Sequence, residues 1–168
     1  MTTSAELRRP ILLDHIGPSG LDVTVEASPA ECAALARRMQ LPAIHALTCQ
    51  FHLIRQDRVH IAATAHLRAR ITQSCIVTAE DFETDVDEAF RVRFVPAGEE
   101  TEVIDPEADD DLPYHGNSID LGEATAEQLG LAIDPYPRIP GAVLPDTEGD
   151  DAAASNPFAG LGDSRKPH

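Results

Sequence analysis

The residues of this 168-residue chain that could do chemistry are, first, its seven histidines. His52, His60 and His66 fall on the polar side of two runs expected to be neighbouring strands. Three imidazoles on a sheet can hold a catalytic zinc and leave a fourth position for water. That would make the protein a small metal-dependent hydrolase. The spacing argues for surface histidines instead, because no H-x-H or H-E-x-x-H pair sets two ligands at fixed geometry. Asp105, Glu107, Asp109 and Asp111 imitate the start of a calcium loop, but Asp110 stands where glycine is needed and Gly116 where a bidentate glutamate is needed. Gly17-Pro18-Ser19-Gly20-Leu21 lacks the final glycine of a nucleophile elbow. There is no P-loop, and Gly160-Leu161-Gly162 lacks the strand and helix of a dinucleotide fingerprint. Acids are abundant, yet none sits in an apolar stretch that would split two carboxyl pKa values. The expectation is a protein with no catalytic residues, no metal and no cofactor.

A basic stripe is the more informative set. Arg68, Arg70, Arg91 and Arg93 alternate outward on two expected strands, with His60 and His66 nearby. Arginine suits bidentate phosphate contacts, so these four are the candidate site for RNA or another partner. The competing reading is cross-strand pairing with Asp85 and Asp87. Few aromatics lie on that face for stacking single-stranded bases.

Charge narrows the partner. The chain carries a net charge of −16, which opposes approach to DNA or broad coating of nucleic acid. Residues 1–95 hold 12 acids and 10 arginines, and residues 96–168 hold 17 acids and 3 bases, so −2 and −14 make up the total. Any RNA contact must therefore be local. Cys32, Cys49 and Cys75 are an odd number with no C-x-x-C spacing, which points to a reducing compartment. Ile11-Leu12-Leu13 is too short an apolar run for a secretory signal or a membrane span. The expected location is the cytoplasm, without a membrane partner.

The elements that must position these residues read as follows. Pro10–Ile16 and Leu21–Ala27 are short extended pieces around a Gly/Pro turn. Ser28-Pro29-Ala30-Glu31 combines a cap, a proline at the first helical position and a capping box, and opens a helix to about Met39. From His45 to Leu53 alternate residues beginning with His45 and Leu47 favour one face. From Ile61 to Ile71 the odd positions do so, and a third strand turns Val86, Phe90, Val92 and Phe94 inward. Such alternation indicates antiparallel strands with one wet face. Glu99–Asp111 holds eight acids and no base, and reads as part of a solvated loop over about 96–118. Asp120 caps a second helix through Leu131, which Asp134-Pro135-Tyr136-Pro137 stops. The expected class is α+β: a curved antiparallel sheet, with barrel-like closure left open, covered by two or so helices. One domain, 1–141, would be followed by a disordered tail, 142–168.

Three ordered segments resemble a known family. Ala69-Arg70-Ile71-Thr72-Gln73-Ser74-Cys75 with Phe82, Ile119-Asp120-Leu121-Gly122-Glu123 through Glu127 to Pro135 and Pro137, and Asn156-Pro157-Phe158-Ala159-Gly160-Leu161 are similar to motifs of the bacterial YceD family, also called large ribosomal RNA subunit accumulation protein. The resemblance marks Cys75, Asp120, Leu121, Glu127, Pro135 and Pro137 as family-motif residues. Many members carry C-x-x-C where this chain has Cys75 and Thr78, so neither a zinc nor a redox pair is implied here. What it implies is a non-enzymatic accessory factor in large-subunit ribosome biogenesis. Its partner would be a large-subunit ribosomal RNA precursor or a basic ribosomal protein. An acidic protein-interaction module without RNA contact is the alternative, and the oligomeric state stays open.

Overall fold

A computed structural model describes residues 6–100 and 109–143. The chain runs β1 (Pro10–Leu12), β2 (Leu21–Glu26), α1 (Pro29–Met39), β3 (Ala43–Arg55), β4 (Ile61–Ser74), β5 (Asp81–Pro96), β6 (Asp110–Tyr114), β7 (Ser118–Asp120) and α2 (Leu121–Ala132). A five-stranded sheet has the order β2-β3-β4-β5-β6, and β1 pairs with β7 in a separate two-stranded ribbon. The first three pairings of the large sheet are antiparallel and β5–β6 is parallel. The fold is therefore α+β with a mostly antiparallel sheet. It is open, edged by β2 and β6, rather than a closed barrel.

Local chemistry explains the elements. Ser28 accepts from the Glu31 N–H while the Glu31 carboxylate accepts from the Ser28 N–H, which is the expected capping box. Arg9 adds a two-pronged contact to Glu31 at 2.8 and 3.0 Å. With the Arg9 hydrogen bonds leading, the Glu31 carboxyl is held down to about 2. The β3–β4 hairpin closes on Asp57, whose carboxylate accepts the Val59 and His60 N–H groups at 2.8 Å. β4 keeps strict alternation, with Ile61, Ala63, Ala65, Leu67, Ala69 and Ile71 buried.

The core lies between this dry face and the two helices. Val25, Leu35, Leu47, Phe51, Leu53, Phe94 and Leu129 all belong to it. Burial pushes the Cys49 thiol up to about 12. Removing these side chains from water is the main stabilising term.

Three expectations change. In β3 the register shifts between Ile44 and Ala46. This bulge buries Ile44 and leaves His45 exposed, so His45 does not share the face of Leu47. Leu13–His15 is a turn of 3-10 helix, which ends the first extended piece early. The acidic run is not all loop, because Asp110–Tyr114 forms β6 and Ser118–Asp120 forms β7. Residues 101–108 of that run lie outside the described residues, as does the expected tail from 144 onward.

Candidate functional site

The sheet places all four arginines on its wet face, each against a carboxylate. Arg68 lies 3.4 Å from Asp87, and Arg70 lies 3.1 Å from Asp85. Arg91 lies 3.1 Å from Asp109. Arg93 makes a fork with Asp111 at 2.8 and 3.0 Å. Asp85 and Asp87 are direct cross-strand partners of Arg70 and Arg68. Asp111 is the β6 partner of Arg93. These acids answer the arginines before any ligand arrives, and a phosphate would have to displace a carboxylate that then repels it. The pairs differ in depth. Side-chain exposure is 68% for Arg68 and 59% for Arg70, against 36% for Arg93 and 9% for Asp111.

Open troughs run along the same face. One of 460 Å³ is lined by Asp22, Gln50, His52, Thr64 and His66, and one of 440 Å³ by Thr48, Arg68, Arg70, Asp85 and Asp87. The histidines are not gathered for a metal. His52 holds Asp22 at 2.6 Å, His60 holds Asp57 at 2.7 Å, and His66 holds Asp87. Among the described residues no three metal-ligating side chains converge. His60, moreover, sits in the turn before β4 rather than on the strand. The three histidines that the hydrolase alternative would use are thus each turned to a separate aspartate.

The family-motif residues occupy three separate places. Asp120 is a junction. Its carboxylate accepts the Gly122 and Glu123 N–H groups of α2 and the Arg9 N–H at 2.8 Å, tying the helix start to the chain ahead of β1. Leu121 is fully buried beside it. Gly122 is required because a Cβ there would stand 2.6 Å from the Leu7 carbonyl oxygen. Glu127 lies on the exposed side of α2.

Cys75, Pro135 and Pro137 meet elsewhere, at the β4–β5 turn. Gln73 donates to the Asp134 carbonyl at 3.0 Å and the Ile76 N–H donates to the Pro137 carbonyl at 2.9 Å. Pro135 itself is exposed. The Cys75 sulfur is buried and accepts the Ile139 N–H at 3.4 Å. The Thr78 hydroxyl, then that N–H, pull the thiol down to about 7.

Residues 63–163, more than half of the chain, match the family described as large ribosomal RNA subunit accumulation protein YceD. The chain belongs to the YceD family. The match begins in β4 and takes in β5, β6, β7 and α2, so it covers all four wet-face ion pairs and the whole of α2. No curated protein and no solved structure matches the chain. The YceD description ties the family to accumulation of large-subunit ribosomal RNA. No helix among the described residues is long and apolar enough to cross a membrane.

Sequence reasoning missed Asp109 and Asp111 as partners of Arg91 and Arg93, having placed both in a solvated loop. The available signal was an outward arginine pair with no acid assigned to it.

Proposed function

We propose that the protein is a non-enzymatic accessory factor in large-subunit ribosome biogenesis, acting in the cytoplasm. It would support accumulation of large-subunit ribosomal RNA by contacting a basic ribosomal protein. The observation that carries the protein-contact reading is the engagement of all four wet-face arginines by aspartates. With these cations answered internally, the charge left for a partner is negative. Residues 1–141 serve as the folding and binding unit in this reading, with 142–168 as an appended tail.

RNA contact is the second reading, favoured by the accessibility of Arg68 and Arg70 beside the 440 Å³ trough. One experiment separates the two. Cells lacking the protein are expected to lose large-subunit ribosomal RNA relative to small-subunit RNA, and crosslinking in cells is expected to capture a basic ribosomal protein as the immediate partner. Normal RNA ratios in depleted cells would refute the biogenesis role. Crosslinks to RNA that vanish with Arg68→Ala, Arg70→Ala, Arg91→Ala and Arg93→Ala would replace protein contact by RNA contact.

A further inference from the structure

Two adjoining cavities, of 240 and 280 Å³, open along the seam between α2 and the β5–β6 edge of the sheet. Both are lined by Leu112, Ala124 and Glu127, so they form one groove. Its floor is apolar, with Phe94 toward one end and Val92 toward the other. Leu131, 75% exposed, carries that apolar surface past the end of the groove.

The walls are acidic. Glu123 and Glu127 rise from α2, and Asp110 and Asp111 from β6. Among the described residues no arginine or lysine lines either cavity. Arg93 answers Asp111, and Arg38 answers Glu123 at 2.7 Å. Among the described residues Asp110 and Glu127 hold no such cation. Glu127 is moreover pushed above the ordinary carboxyl range, chiefly by desolvation and then by Glu123, with Arg38 opposing.

We propose that this groove binds a basic segment of a partner protein, seating an apolar side chain over Leu112 and Ala124 between lysines or arginines that meet Asp110 and Glu127. The assignment rests on the protein-contact reading above and names its surface. Charge decides the occupant. Segment 101–108 of the chain has three acids and no base, and segment 144–168 has five acids and two bases, so both are repelled by these walls. Phosphate is repelled for the same reason. An apolar floor between charged walls suits a side chain anchored by hydrophobic contact and oriented by flanking cations.

The test uses the full chain and short fluorescent peptides that tile the basic large-subunit ribosomal proteins, with polylysine as a control. Asp110→Asn with Glu127→Gln is expected to weaken the best peptide about tenfold and to flatten its salt dependence. Leu131→Lys is expected to weaken it as well, while Arg68→Ala with Arg70→Ala leaves it unchanged. All of these positions are exposed, so the variants should fold. Unchanged binding in the groove variants, equal affinity for polylysine, or loss only in the arginine variant would overturn the assignment. Deletion of 144–168 that strengthens binding about tenfold would overturn it too, making the chain's own tail the occupant. Sedimentation in cells distinguishes the two levels. Failure of the wild-type protein to travel with large-subunit precursors refutes the biogenesis role. Co-migration together with groove variants that bind normally refutes only the groove.

Discussion

On the wet face of the sheet, each of the four guanidiniums lies against a carboxylate on the neighbouring strand or just ahead of it. Along the seam of α2 and β6, two carboxylates stand beside an apolar floor with no ion pair to a cation among the described residues. Both surfaces are rich in charge, and residue types alone would rank the arginine stripe as the binding site. What separates them is where the counter-charge comes from. The first surface supplies its own and stabilises the sheet. The second leaves it to another molecule.

The largest expected effect bears on the helix that forms one wall of the groove. Gly122→Ala puts a Cβ against the backbone of Leu7 and Arg9, which no side-chain rotation can relieve. A loss of about 2–3 kcal/mol is expected from such overpacking, read by denaturant unfolding. An unchanged midpoint would mean that α2 can shift and that the groove has no fixed width.

A smaller effect grades the matched face. Arg93→Ala removes the two charged hydrogen bonds to Asp111, which is 9% exposed, and should cost about 1–3 kcal/mol. Arg70→Ala breaks an exposed pair and should cost about 0–1 kcal/mol. Equal losses at the two positions would erase the distinction between structural and accessible arginines.

Acid titration sets an answered carboxylate against an unanswered one. Glu31 is lowered to about 2 by Arg9, so its contribution is present above the ordinary value of 4.5 and is lost as pH falls from there toward 2. Glu31→Gln should therefore lower stability at neutral pH and flatten that acid limb. Glu127 is raised, so the folded state holds its proton more tightly and stability declines as pH rises through its titration. Glu127→Gln should be neutral or stabilising at pH 7. A loss there comparable to that of Glu31→Gln would indicate an internal partner for Glu127.

The smallest effect has the opposite sign. Gly130 has open space around its Cα, and Gly130→Ala should raise stability by about 0.5–1 kcal/mol through helix propensity alone. A calorimetric scan that shows destabilisation would place an unseen neighbour at that end of α2.

What was legible in the sequence was local. The capping box at Ser28 and Glu31, the odd-position alternation of β4 and the Asp120 cap each depend on residues a few positions apart, and each appears where expected. The bulge at Ile44–Ala46 was hidden because it reverses alternation without changing composition. β6 was hidden because Asp109, Asp110 and Asp111 look like solvated acids until Arg91 and Arg93 arrive from the neighbouring strand. The arginines were legible as a stripe, and so was their pairing with Asp85 and Asp87; the partners of Arg91 and Arg93 were not. The groove was illegible for a plainer reason: Val92, Leu112 and Ala124 belong to three elements and meet only in the tertiary fold.

The stitch between Arg9 and Asp120 has a consequence for how the molecule is made. The Arg9 N–H and its acceptor are 111 residues apart. At a synthesis rate of about 5–20 residues per second, the N-terminal segment waits on the order of 5–20 s for the other half of its clasp. During that time the β2–β3 and β3–β4 pairings and α1 can form from chain already emerged, since their contacts are nearer in sequence. Ile11 gains its strand partner Ile119, and the Leu7 backbone its close neighbour Gly122, only when that part of the chain appears. Closure therefore waits until Asp120 has been made, and a nascent chain stalled before Ser118 would carry most of a sheet but lack the β7 partner of its first strand.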